Sequence, residues 1–165
     1  MDILDAIPVL RDLPPTVTVA LVAMLPVIEL RGAIPVGAAL GLGAWETFVA
    51  AVIGNIIPII PLVYLLDPVQ KWLSRHFKFF DRFFTWLFAR TRAKHSARYE
   101  KMKDAALVLF VAVPLPGTGG WTGVAAAYVF GVKKGRAVLL VSLGIVIAGI
   151  AVTVFTEAGK AVVNR

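Results

Sequence analysis

The chain has no cysteine, only two histidines and only ten acidic residues among 165. Without cysteine there is no disulfide-stapled scaffold and no thiolate nucleophile, and the redox compartment is left open. Charged residues make up 16% against 59% hydrophobic, with a mean hydropathy of +0.83. That balance excludes a disordered chain and departs from an ordinary soluble domain. Walker A, HExxH and GxSxG patterns are all missing, so nothing points to an enzyme or to a cofactor. Any active transport by this chain alone has to draw on an ion gradient. His76 and His95 both fall in a basic stretch away from the acidic residues of interest, and no metal site is expected.

What is abundant is basic charge and apolar length. Lys plus Arg total 17, giving a net charge of +7 and a pI near 10.1, which calls for an acidic partner, either nucleic acid or anionic lipid. Residues 67–104 hold ten basic and four acidic side chains and so carry +6 of that +7. On either side, residues 16–66 and 105–156 are apolar, interrupted only by Glu29, Arg31 and Glu46 in the first and by Lys133, Lys134 and Arg136 in the second.

Residues 47–66 and 137–156 are each 20 residues long without a full charge. At about 1.5 Å per residue, each is long enough for a hydrocarbon core of about 30 Å. No cleavable signal is expected, because the N-terminal residues Asp2, Asp5, Arg11 and Asp12 give no positive lead into an apolar core. The other apolar stretches are shorter. Residues 16–28 reach the charged tip Glu29–Leu30–Arg31–Gly32, and residues 33–43 run apolar again. Residues 105–116 likewise lead to Gly117, Thr118, Gly119, Gly120, Trp121, Thr122 and Gly123 before residues 124–131. Helix continues poorly through such Gly and Pro clusters, so each stretch is expected to be a re-entrant hairpin.

Sliding the chain by 88 residues aligns Pro26, Gly32, Val36, Ala38, Ala39 and Gly43 with Pro114, Gly120, Val124, Ala126, Ala127 and Gly131. A hairpin plus one true crossing per copy inverts the second copy. The expected fold is therefore an all-α integral membrane protein. It is an inverted repeat of re-entrant helical hairpin plus transmembrane helix, forming one membrane domain over residues 1–165. The first repeat covers about 16–66, the basic bridge 67–104 and the second repeat about 105–158. With the bridge and Lys133, Lys134 and Arg136 on one side, the positive-inside rule puts the bridge in the cytoplasm. At 100° per residue, Lys71, Arg75, Lys78, Arg82 and Arg92 form one stripe of the bridge, and Trp72, Phe79, Phe80, Phe83 and Trp86 cover the opposite face. Trp72, Arg75, Lys78, Phe80, Arg82, Phe83 and Trp86 are accordingly expected at the membrane interface, drawn to anionic headgroups. Nucleic acid is disfavoured, since stacking aromatics would stand beside the charges and not behind them.

A carboxylate at membrane depth is costly, so Glu29 is the leading functional residue, with Arg31 two positions on. The pair reads either as a proton-titratable acid beside an anion-recognising cation, or as an internal ion pair that lets the hairpin turn. Gly32 belongs to the same tip. In the second tip the amides of Gly119 and Gly120, the hydroxyls of Thr118 and Thr122 and the indole of Trp121 are candidates to cradle an anion. Asn55, ahead of Pro58 and Pro61, either lines a cavity or satisfies carbonyls that the prolines free.

Pro26, Glu29, Arg31, Gly32, Ile34 and Pro35 in the first hairpin, and Pro114, Leu115, Pro116, Gly117, Thr118, Gly119, Trp121, Thr122 and Gly123 in the second, resemble the small multidrug export family of prokaryotic membrane proteins, distant relatives of the DedA and VTT-domain proteins, with Gly120 where that pattern would have alanine. The resemblance spans nearly the whole chain and implies a multi-pass protein of the cytoplasmic membrane. The DedA relatives imply proton-linked movement of lipid phosphates such as polyprenyl carriers, with Glu29 in the place of their first-hairpin acid. Their second-hairpin arginines have no counterpart here. The leading expectation is a proton-coupled secondary transporter or lipid translocase for an anionic lipid or amphiphile. A small multidrug exporter and a non-transporting membrane organiser are the alternatives. So short a chain with two full crossings also makes a homodimer plausible.

Overall fold

In the computed structural model, residues 13–79, 81–82, 85, 97–115 and 118–163 are described. Every regular element among them is helical: α1 (Pro15–Met24), α2 (Glu29–Ala39), α3 (Ala44–His76), α4 (Ala97–Ala112), α5 (Gly120–Val129) and α6 (Lys134–Val163). Two short helices followed by a long one therefore occur twice.

Local chemistry sets these limits. Pro15 opens α1, where its fixed φ suits a first helical turn and its missing N–H leaves no bond unmade. Leu25 is extended (ψ 132°) because it precedes Pro26, and this ends the helix. At the other end of the first hairpin, Gly41 sits at φ +80°, with Gly41 N–H donating to the Ala38 carbonyl and Leu42 N–H to the Gly37 carbonyl. In the second hairpin Gly131 sits at φ +65°, with Gly131 N–H donating to Tyr128 and Val132 N–H to Ala127. Both are Schellman closures, which need a left-handed residue that glycine alone supplies without strain.

These two closures are ninety positions apart, not 88. The ends of α1 and α4, Met24 and Ala112, do keep the spacing of 88. The second tip is longer, so the register moves by two residues beyond it. Of the six sequence identities, only Pro26 with Pro114 lies before that shift; the other five pair residues that the backbone sets two positions apart. Beyond the tips the burial pattern follows the ninety-residue spacing: Leu30, Ala33, Ile34 and Gly37 face inward in α2, and Gly120, Gly123, Val124 and Ala127 in α5.

The chain divides into two compact units, the first Met1–Asn55 with Gly149–Arg165 and the second Ile56–Ala148. Each contains one hairpin, the start of the long helix that follows it and the end of the other long helix. In the first unit α1 packs its Thr18, Val19, Val22 and Ala23 against α2. Gly54 of α3 lies so close to α1 that a Cβ there would stand 2.2 Å from the Ala20 carbonyl oxygen. In the second unit Gly144 of α6 meets α4 in the same way, with Val111 Cβ at 2.6 Å and the Val108 oxygen at 3.0 Å from a built Cβ.

α3 and α6 have 33 and 30 residues, about 50 and 45 Å at 1.5 Å per residue, more than a bilayer core requires. Their most apolar windows are only 33% and 28% buried. Leu139, Leu143, Ile147, Ile150 and Val154 are exposed at intervals of three and four, one stripe down α6. A core helix of a soluble protein would hide that stripe; here it is left exposed, as on a helix that crosses a membrane. α3 also runs ten residues past its apolar segment to His76, so Trp72 and Arg75 belong to its last turns and not to a separate bridge helix. The expected boundary at Asp67 followed charge, but a helix leaving the apolar zone keeps its hydrogen bonds and has no reason to stop there. Lys78 and Arg82 lie beyond it, and Phe80, Phe83 and Trp86 fall outside the described residues.

Candidate functional site

The first hairpin reverses over residues 25–28, and Glu29 opens α2 rather than capping an irregular tip. Its backbone amide donates to the Leu25 carbonyl at 3.0 Å. Its φ is +52°, the one positive value among the described non-glycine residues. A bulky residue in the left-handed region costs about 1–3 kcal/mol, which surrounding structure must hold in place. Glu29 is also 6% exposed, so a strained backbone carries a buried carboxylate. Arg31 is half-buried and close enough to feel the Glu29 charge, as the irregular start of α2 allows. Gly32 has a packing role: a Cβ there would come within 2.3 Å of Ile28 Cγ2.

The same unit hides further polar groups. Thr18 is buried and donates to the Pro14 carbonyl at 3.4 Å. Thr47, 2% exposed, leaves its Oγ1 without a partner, and Asn55, fully buried, leaves both amide atoms without one. Asn55 therefore does not satisfy carbonyls freed by the prolines. Thr153 Oγ1 is likewise unpartnered. Sequence patterning singled out neither Thr47 nor Thr153, because an isolated threonine in an apolar run is ordinary in a membrane helix. The signal lies in the ninety-residue comparison. Glu29, Arg31, Thr47 and Asn55 correspond to Gly119, Trp121, Ala137 and Ile145, and Thr153 corresponds to Val63.

The second tip uses its polar groups on itself. Thr118 Oγ1 is within hydrogen-bond reach of the Val113 carbonyl at 2.7 Å and the Leu115 carbonyl at 2.9 Å. The Thr118 amide donates to Leu115 and the Gly119 amide to Thr122 Oγ1 at 2.9 Å. Both hydroxyls and one of the amides expected to face an anion, that of Gly119, thus shape the turn into α5. Gly120 and Gly123 face inward, Gly123 against Val111. Glu29, Arg31, Gly32 and Asn55 belong to the first unit, and Thr118, Gly119, Gly120, Trp121 and Thr122 to the second.

The polar chemistry of the second unit gathers instead where α5 hands over to α6. Lys134 pairs with Asp67 and Arg136 with the mostly buried Asp104. Lys134 Nζ stands 5.5 Å from the centroid of the Tyr64 ring, and Lys103 donates to the Phe130 carbonyl at 3.2 Å. The Tyr128 hydroxyl donates to Gln70 at 3.4 Å. Burial, with Asp67 beside it, pushes the Tyr128 phenol up to about 12. Among the described residues no cluster of His, Asp and Glu could hold a metal.

Two long apolar helices with exposed faces and a strained, buried acid at the head of a short one are the features of a membrane scaffold. Residues 29–151 match the family described as "Putative small multi-drug export protein". The chain belongs to the small multidrug export family. No curated protein and no solved structure matches it. The match to the family begins at Glu29 and takes in both Schellman closures, the ion pairs of the second unit and most of both long helices. The export family and the two long apolar helices together point to a membrane protein.

Proposed function

We propose that the protein is a proton-coupled secondary transporter that exports amphiphiles, with Glu29 as the group that takes up and releases the proton. The observation that carries this reading is the buried Glu29 carboxylate on a left-handed backbone beside Arg31. A carboxylate that only closed an ion pair would need no strained residue and no burial. Burial favours the neutral form of such a carboxyl while the neighbouring cation favours its charged form, and these opposed pulls suit a group that titrates. The repeated plan of hairpin and long helix supports an inverted-repeat transporter. The Lys133, Lys134 and Arg136 turn then faces the cytoplasm, and the Gly43 to Glu46 turn the outside. Lipids with anionic headgroups surround the basic segment, and a homodimer would help so small a chain enclose a path.

Arg31 favours a second reading of the cargo, an anionic lipid of the polyprenyl phosphate type, since a guanidinium in a half-buried site recognises phosphate well. Liposome transport separates the two. With fluorescent polyprenyl phosphate and a lipophilic cation presented in parallel, the exporter reading expects the cation to move and to dissipate a pH gradient. The lipid reading expects the phosphate to flip and Arg31→Gln to stop it. Under either reading Glu29→Gln loses the pH dependence; transport unchanged in that variant would remove the proton role.

A further inference from the structure

The first unit holds a cleft that the transport reading does not use. Ala44, Trp45 and Phe48 at the start of α3 and Ile150, Thr153 and Val154 near the end of α6 line an open cavity of about 340 Å³. That lies within the roughly 300–1,000 Å³ typical of small-molecule sites. Its wall is apolar, and the Thr153 hydroxyl behind it is buried and unpartnered. Trp45 and Phe48 stack with ring centroids 5.6 Å apart, and Trp45 is 73% exposed.

Glu46 stands beside Trp45 on the first turn of α3, exposed, and makes no ion pair or hydrogen bond among the described residues. The corresponding end of α6 is the reverse in every respect. Lys134, Gly135, Arg136 and Val138 stand ninety positions from Ala44, Trp45, Glu46 and Phe48, and the two cations there are neutralised by Asp67 and Asp104. The small void lined by Val124, Tyr128 and Lys134 in that unit is only about 20 Å³. One helix start is filled and charge-balanced. The other is open, aromatic and bears an unbalanced carboxylate.

We propose that this cleft seats one membrane lipid whose headgroup carries an ammonium. Both lining helices are long, apolar and exposed along this face, as membrane-crossing helices are, so an acyl chain is the occupant the apolar wall receives. The exposed indole fits the headgroup boundary, where tryptophan is enriched. The unpaired carboxylate and the ring faces of Trp45 and Phe48 then select a cation over an anion. The lipid is a fixed partner, not cargo, so the proposal stands or falls separately from the transport reading.

The test is thermal unfolding in nanodiscs of phosphatidylglycerol alone and of phosphatidylglycerol with added phosphatidylethanolamine. Wild type is expected to unfold roughly 4 °C higher when the ammonium lipid is present, as a ligand bound well above its dissociation constant would give. Glu46→Gln is expected to erase the difference between the two lipids, and Trp45→Ala to reduce it. A carboxylate that served only the positive end of α3 would lower both midpoints equally on substitution and leave the difference intact. That result overturns the proposal. So does a wild type that unfolds at the same temperature in both lipids, or a shift produced by added tetraphenylphosphonium and not by phosphatidylethanolamine.

Discussion

The two hairpin units are built alike and filled differently. Both close with a glycine in the left-handed region, at Gly41 and Gly131. Both bring a long helix against the first arm of a hairpin through a glycine, Gly54 on α1 and Gly144 on α4. Yet the first unit buries Glu29, Thr47 and Asn55, where the second has Gly119, Ala137 and Ile145. At these three positions the second unit packs without a polar side chain. The polar residues there are therefore additions to the scaffold in the first unit, and the unpartnered Thr47 and Asn55 cost stability unless something outside the chain pairs with them.

The sharpest test of the shared backbone is the glycine crossing. Gly54→Ala drives a methyl into the Ala20 carbonyl oxygen, which is backbone and cannot step aside, so we expect a loss of about 3 kcal/mol or more, seen as aggregation on size exclusion. Gly144→Ala meets the Val111 side chain first and should cost less, about 1–3 kcal/mol. Equal losses would break the distinction. Next comes the polar filling. Asn55→Ile, which installs the residue of the second unit, should hold or raise stability by about 1–2 kcal/mol, while Ile145→Asn should lower it by about 1–3 kcal/mol. Both are read as thermal midpoints in one detergent.

Glu29→Gly relieves the left-handed backbone and removes the buried acid, so a gain of about 1 kcal/mol is expected together with loss of pH-linked transport. A stability gain without that functional loss would reduce Glu29 to a flaw in packing. The smallest expected effect lies at the ion pairs. Asp67→Asn should change stability by less than about 1 kcal/mol, because both partners are more than a third exposed. It should also bring the Tyr128 titration down towards the ordinary value near 10, followed by phenolate absorbance. Since the fold holds that phenol neutral, its contribution is whole below about pH 10 and fades as pH rises towards 12.

Much of this plan could be read from residue order. Charge-free runs of 20 residues gave both long helices and Pro26 marked the first turn, because span length and helix breaking are local properties, whereas Gly32 and Gly120 to Gly123, expected in the tips, stand inside α2 and α5. The repeat spacing was off by two, since identities among Gly, Ala and Val are cheap in such a composition, whereas the left-handed glycines that fix the register look like any other glycine in sequence. Asp67 misled for a related reason: charge marks where lipid ends, not where a helix ends. Glu29 and Arg31 stood out as charges in an oily stretch. That Glu29 opens a helix at positive φ, and that Thr118 and Thr122 spend their hydroxyls on the turn, depend on backbone geometry that no spacing rule carries.

The account turns on whether the two look-alike turns lie on opposite sides of the membrane. The chain has no native cysteine, so Gly43→Cys and Lys133→Cys can each be labelled alone in intact cells and in inside-out vesicles with a membrane-impermeant maleimide. The prediction is that Cys at 43 reacts in intact cells and Cys at 133 only in inverted vesicles. Labelling of both from the same side would contradict the inverted arrangement and the transporter built on it.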